Sequence, residues 1–313
     1  MERVVAEAAA SSANLGSGFD VFALALDAPR DKVEVVREGS SRSAVYVREE
    51  GGSDLPTEPT KNASGAVALA MAKKHTLNGA LYITVKKGVP IGVGLGSSGA
   101  SSAATALALD KLYSLGLDQS SLVTFAGEGE RATSGAAHLD NVTASIMGGF
   151  VIVPQDGLKP LRLAPPPGLE LAVATPQVTL PPRKTEYARG LLPTKVDLAS
   201  LVFNVSRASR VAAGFAKWDV GMIGQGMEDS VVEPARASMI PGLDKVRMAA
   251  KEAGASGCCI SGAGPSVLSL LDSKAGDSKT VLRAMVKAFE GAGMKAHGFT
   301  TTVGKGARVL DSS

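Results

Sequence analysis

Pro90-Ile91-Gly92-Val93-Gly94-Leu95-Gly96-Ser97-Ser98-Gly99-Ala100-Ser101-Ser102 separates two segments of different periodicity. Before it, Leu81-Tyr82-Ile83-Thr84-Val85-Lys86 alternates as a strand does; after it, Ala103 to Leu115 carries alanine and leucine at helical spacing. The order is strand, glycine loop, helix. Gly92, Gly94 and Gly96 remove Cβ atoms where the backbone must bend sharply or approach a ligand, and Ser97 and Ser98 stand at the helix start, where amides lack intrahelical acceptors. Those amides and the positive end of the helix dipole suit a phosphate, and a serine hydroxyl there can ligate the magnesium that accompanies a nucleotide. A serine-capped turn uses the same residue types, so the pattern must be compared with known phosphate loops. No lysine precedes the serines, as a Walker loop requires, and the glycines do not fit G-x-G-x-x-G with an acidic residue about 20 positions on.

Around this loop the chain has the length for two domains: 313 residues, 45% hydrophobic, 20% charged. Thirty-three basic against 30 acidic residues, net +3, give no basic stripe and so no signal for nucleic acid or a membrane surface. No apolar run approaches the roughly 20 residues of a membrane span, and the N-terminus lacks the features of a signal peptide, so a cytoplasmic protein is expected. Cys258 and Cys259 are adjacent in an apolar run and read as buried free thiols.

Upstream, Arg3 to Ala10 reads as a strand leading into Ser11-Ser12-Ala13-Asn14-Leu15-Gly16-Ser17-Gly18-Phe19-Asp20, a loop able to carry polar groups to a site. Lys32 to Val36 and Ala44 to Arg48 read as further strands, and Asn62 to His75 as a helix that Asn62 caps. Downstream, a helix from Asp118 carries Glu128, Glu130 and Arg131 near its far end, where carboxylates oppose the dipole. His138, Asp140 and Asn141 are read as a loop able to hydrogen-bond a small polar ligand. Met147 to Val153 closes a first domain over residues 1–155, and a proline-rich crossing leads to a second over residues 165–313. Helices and strands alternate there, ending with a strand at Lys295 to Val303. Ser261-Gly262-Ala263-Gly264-Pro265-Ser266 is a second glycine loop. Residue chemistry by itself stops at phosphate binding, magnesium dependence and a site for a small zwitterion.

Pro90 to Ala100 resembles, nearly letter for letter, the P-x-x-x-G-L-G-S-S-A/G-A signature of the GHMP kinases. Residues 11–20 are similar to A-x-x-A-N-L-G-x-G-F-D, His138 to Asn141 to H-x-D-N, Thr185 to Arg189 to T-x-x-A-R, Glu233 to Gly242 to E-P-x-R…P-G, and Gly262 to Ser266 to G-x-G-P-S. Together these point within the family to its homoserine kinase branch. The resemblance implies an α+β fold of two domains, the first like ribosomal protein S5 domain 2 and the second a ferredoxin-like α/β sandwich. It implies ATP-dependent phosphorylation of the L-homoserine hydroxyl, a step toward threonine, with a homodimer left open.

By the same resemblance ATP would be held by Pro90, Ile91, Gly92, Val93, Gly94, Leu95, Gly96, Ser97, Ser98, Gly99 and Ala100. Gly262 and Gly264 would support them, and Asn62 would lie at the adenine. Mg2+ would lie between Ser98 and Glu130, with Glu128 the alternative ligand. The substrate would be gripped by Asn14, Asp20, His138, Asp140, Thr185, Arg189 and Arg236. Asp20 suits its ammonium and the arginines its carboxylate. Mevalonate kinase and galactokinase have an aspartate where this chain has Asn141; an amide cannot take a proton, so catalysis at Asp140 and Asn141 would rest on positioning and charge neutralisation, with proton removal left to the phosphate, water or Asp140. Another small-molecule GHMP kinase, for mevalonate, shikimate or pantoate, would keep the glycine loops without needing Asp20, and a non-catalytic nucleotide-binding regulator would bind without turnover.

Overall fold

Strands with period-two alternation build the first half of the molecule, and their inward residues fix where its helices lie. The computed structural model describes residues 2–39, 43–51, 55–135, 138–179, 181 and 183–313. The first half contains β1 (Glu2–Ala13), β2 (Phe22–Glu38), β3 (Ala44–Glu50), α1 (Ala63–His75), β4 (Ala80–Lys86), α2 (Ser97–Tyr113), α3 (Gln119–Ser134), α4 (Leu139–Met147), β5 (Phe150–Ile152) and β6 (Leu161–Leu163). The second contains β7 (Leu169–Pro176), α5 (Lys184–Gly190), α6 (Leu198–Lys217), α7 (Val220–Gly226), α8 (Val232–Arg236), α9 (Leu243–Glu252), β8 (Gly257–Ile260), β9 (Val267–Asp272), α10 (Ser278–Glu290), β10 (Ala296–Thr302) and β11 (Arg308–Ser312).

The first sheet runs β11-β1-β2-β4-β3, with β5 and β6 continuing from β2; all pairs are antiparallel except β3 with β4. Val4, Ala6, Val33, Val35, Ile83 and Val85 point to one face and are buried beneath Met71 of α1, Leu109 of α2 and Val123 of α3. The second sheet runs β10-β7-β9-β8, antiparallel throughout. Val246 of α9 and Met285 and Phe289 of α10 cover one face; Phe215 of α6 and Ile223 of α7 cover the other. That second core is shared between the halves. The rings of Phe150 in β5 and Phe215 in α6 stack with centroids 4.0 Å apart, and Phe22 meets Phe150 edge-on at 5.1 Å. These are the two α+β units that the family resemblance implies. No described helix is long and apolar enough to cross a membrane.

Three differences from the sequence reading have physical reasons. β2 begins at Phe22, ten residues before the expected Lys32, because Phe22, Ala23, Leu24, Ala25 and Leu26 are all buried and a strand covered on both faces shows no alternation. The expected last strand is followed by β11, a mostly exposed edge strand that returns to the first sheet and pairs Val4 with Ser312 and Glu7 with Arg308, so residues 308–312 do not stay with the second sheet. His138 to Val142 is the start of a helix and not a loop. His138 occupies the N-cap, Asp140 lies in the first turn where the dipole favours a carboxylate, and Val142 and Ile146 are buried in the core.

Candidate functional site

Between the halves lies a cavity of about 690 Å³ lined by both glycine loops, the start of α2, the end of α3, the start of α4 and α5. The loop before α2 needs its glycines. Gly92, Gly94 and Gly96 have φ of +77°, +87° and +64°, and a Cβ on Gly94 would stand 2.3 Å from the Ser261 carbonyl oxygen. Gly96 is the N-cap, and the first intrahelical bond is Ala100 N to Gly96 O at 2.9 Å, so the amides of Ser97, Ser98 and Gly99 precede it. α2 starts at Ser97, earlier than the apolar spacing predicts, because its first two turns are small residues packed closely. A Cβ on Gly99 would touch Asn141 at 3.3 Å. The second glycine loop props the first. Ser261 Oγ donates to Gly94 O at 2.7 Å, and Ser266 N to Val93 O at 3.1 Å.

Beside the α2 start, Glu130 is 5% exposed and lies close to the Ser98 hydroxyl, and its Oε1 has no hydrogen-bond partner among the described residues. Burial is the main cause that raises its pKa to about 7, with the nearby Asp140 adding to it and Lys87 opposing. Asp140 is likewise raised by burial, to about 6, although its Oδ1 accepts the Asn141 amide at 2.7 Å. A site that binds a proton this tightly and leaves a carboxylate oxygen unpaired also fits a hard cation. No group of three or more His, Cys, Asp or Glu that could hold a metal ion occurs among the described residues. A cation here would draw its other ligands from phosphate and water, the usual habit of magnesium.

Asn141 is oriented by Ser11, whose Oγ donates to Asn141 Oδ1 at 2.9 Å; the Nδ2 end turns toward Asp140 Oδ1 at 3.4 Å. The remaining polar groups gather around Phe19. Arg189 Nη2 reaches both oxygens of Asp20, at 3.0 and 2.9 Å, and lies 3.2 Å from His138 Nδ1. A guanidinium can only donate, so Nδ1 accepts and the proton of the neutral ring sits on Nε2, free for a ligand. Burial, then Arg189, lowers the His138 pKa, which keeps it neutral. Arg189 and Arg236 lie 5.4 and 5.2 Å from the Phe19 ring centroid. Arg236 is 4% exposed and donates to the carbonyls of Ala188 (3.3 Å) and Gly262 (3.2 Å).

The structure brings most of the sequence-derived residues into this one cavity, including Asn14, Asp20, Asn62, Ser98, Glu130, His138, Asp140, Asn141, Thr185, Arg189, Arg236 and Gly262. Pro90, Val93, Gly99, Ala100 and Gly264 do not line it. Val93 and Ala100 pack with the shared apolar core, Gly99 backs onto Asn141, and Gly264 stands behind Gly94. Glu128 is not at the cavity either and pairs with Arg131 at 3.4 Å. Asn14 spends its amide on the protein, donating to Gly262 O at 2.9 Å and accepting from Asp20 N at 3.1 Å, which ties the two loops together. Asn62 is the α1 N-cap, accepting from Ser64 N and Gly65 N and donating to Pro56 O at 2.8 Å. Asn62→Ala is therefore expected to destabilise the fold by about 1 kcal/mol, a loss of a few degrees in Tm that calorimetry resolves.

Three residues escaped the sequence reading. Asp31, fully buried, pairs with Lys87, accepts from Ser101 Oγ at 2.7 Å and receives the amides of Gly88 and Val89 at 3.0 and 2.9 Å, which fastens the strand before the glycine loop to the start of α2. Lys87 Nζ also donates to Ser97 O at 2.8 Å. In sequence, Arg30-Asp31-Lys32 looks like a solvated charge run. Lys184, the third, gives no sequence signal beyond its place beside Thr185.

Residues 62–149 match the model of the GHMP kinases N terminal domain and residues 211–291 that of the GHMP kinases C terminal. The chain is 42% identical to a homoserine kinase of Natronomonas pharaonis over 98% of this chain and 100% of that protein. It is 40% identical to one of Methanocella arvoryzae over 99% and 98%. Among solved structures, homoserine kinase from Cytophaga hutchinsonii superposes with a TM-score of 0.90 at 32% identity, covering 99% of this chain and 98% of the other. Galactokinase from Lactococcus lactis, at 15% identity and a TM-score of 0.72 over 98% and 95% of the two chains, shares the fold.

Proposed function

We propose, for a chain that belongs to the GHMP kinase family, that it transfers the γ-phosphoryl group of ATP to the side-chain hydroxyl of L-homoserine, giving O-phospho-L-homoserine and ADP. The observation that carries this reading is the meeting, in one cavity, of a phosphate loop at a helix start with a charged cluster of both signs. A zwitterion brings its own ammonium and carboxylate, so it can replace the Asp20–Arg189 pair without leaving either charge uncompensated. Asp20 takes the ammonium; Arg189 and Arg236 take the carboxylate, with Thr185, His138 Nε2 and the Asn14 loop closing around it.

Ser98 and Glu130 would hold Mg2+, which would supply charge neutralisation on the phosphate oxygens. The chain supplies the rest by positioning. The α2 amides hold the phosphates, Ser11 fixes the Asn141 amide, and Asp140, with its pKa near 6, is the neighbouring group basic enough to receive the hydroxyl proton. A cytoplasmic location fits this metabolic role. A homodimer is the assembly we favour, since Leu198, Leu201, Val202 and Val205 form an exposed apolar stripe on α6.

The test is a coupled ADP-release assay with magnesium-ATP and L-homoserine, mevalonate, shikimate, pantoate or galactose. Turnover on homoserine alone is expected. Turnover on another acceptor would keep the phosphate site and overturn the substrate contacts; nucleotide binding with no turnover would make the protein a regulator.

A further inference from the structure

We propose that Lys184 binds the terminal phosphate of the nucleotide, supplying from the second half of the molecule a cation that the glycine loop before α2 lacks. The proposal rests on the kinase reading only in requiring a nucleoside triphosphate as ligand. Among the described residues that line the cavity, the lysines and arginines are ion-paired with two exceptions. Lys87 has Asp31 and Arg189 has Asp20, whereas Lys184 and Arg236 have no carboxylate within 4.0 Å. Both donate only to backbone carbonyls, Lys184 to Gly264 O and Arg236 to Ala188 O and Gly262 O. Two neighbouring, largely buried cations without a direct ion pair are unfavourable in the empty protein, Lys184 above all, since Asp20, Asp229 and Glu233 partly offset Arg236 from farther away, and anionic ligands relieve that.

Their positions divide the anions between them. Gly264 O lies 2.7 Å from where a Cβ of Gly94 would be, so the ammonium that Gly264 holds lies near the phosphate loop, and Lys184 lines the same cavity as that loop. Arg236 stands farther along, over Phe19 in the Asp20 and Arg189 cluster, where a substrate carboxylate would lie. Burial and the adjacent Arg236 lower the Lys184 pKa to about 8, the response expected of an ammonium awaiting an anion. Without a lysine in the α2 loop, this is the side chain able to add positive charge to phosphate oxygens from the opposite wall.

The test is calorimetric titration of the full chain, in magnesium, with ADP and with a non-hydrolysable ATP analogue. Lys184→Gln is expected to bind the triphosphate analogue roughly 10- to 100-fold more weakly, the range of one charge-assisted hydrogen bond, with ADP affinity unchanged. Intact ADP binding also reports that the variant is folded. In the unsubstituted protein the preference for the triphosphate should decline above about pH 8 as Lys184 loses its proton. Lys184→Arg should retain the preference and abolish that decline. An undiminished triphosphate preference in Lys184→Gln overturns the proposal, and so does an equal loss for ADP, which would mean that the lysine only shapes the Gly264 loop. Neither titration needs an acceptor, so failure to phosphorylate homoserine would sink the substrate reading and leave this result standing.

Discussion

Arg236→Leu is expected to raise KM for homoserine by roughly 10- to 1000-fold, the span of about 1.4–4 kcal/mol of lost binding, while leaving Tm unchanged or higher. The two halves of this result have one cause. Arg236 is 4% exposed, is ion-paired with no carboxylate among the described residues, and burial lowers its pKa, with Asp20, Asp229 and Glu233 only partly opposing that, so the folded protein holds an incompletely compensated cation. Leucine removes that cost. The carbonyls it abandons are not stranded together, since Gly262 O keeps the Asn14 amide. Steady-state kinetics with homoserine and a thermal melt decide the matter: an unchanged KM removes Arg236 from the substrate site, and a large fall in Tm makes it a structural cation.

Glu130→Gln should lower kcat by roughly 100-fold or more, the effect of losing several kcal/mol of charge stabilisation on the transferring phosphate. Glutamine keeps the size of the side chain but cannot carry the charge a magnesium ligand needs. The pH dependence separates this from simple damage. With its pKa raised to about 7 by burial, Glu130 is mostly protonated at pH 6, and a metal must displace that proton. Magnesium affinity of the nucleotide complex should therefore rise about tenfold per pH unit up to about 7 and then level, with no such rise in Glu130→Gln. The sign for folding is the opposite. The folded state holds the proton more tightly than the unfolded chain, so ligand-free stability falls as pH rises from about 4.5 to about 7, and the substitution removes that fall. A pH-independent magnesium affinity in the unsubstituted protein would remove Glu130 from the metal site.

Local rules carried much of this far. The alternation before Pro90, the glycines after it and the small residues of α2 declare strand, loop and helix, because each residue type answers to a backbone requirement in its own neighbourhood. The family resemblance added the roles of Glu130, Arg189 and Arg236, which spacing does not reveal. What stayed hidden depends on distant partners. Asp31 becomes a buried anchor only because Lys87, 56 positions later, folds onto it. Asn14 and Asn62 have side chains suited to ligands, and the structure shows them employed in tying loops and capping α1. The helix at His138 was obscured because His138, Asp140 and Asn141 crowd its start with polar groups around Leu139, which packs on the core with Val142 and Ile146.

The return of β11 to the edge of β1 sets an order of events during synthesis. Residues 308–312 are made after every other described strand, so the backbone donors and acceptors that β1 offers on that side wait until residue 308 and its successors have emerged. A chain interrupted before residue 308 would present an unpaired edge of alanine and valine, open to pairing with the same edge of another nascent chain. The ion pairs that β11 contributes, Asp311 to Arg3 and Arg308 to Glu7, therefore close the sheet against self-association at the moment synthesis reaches them.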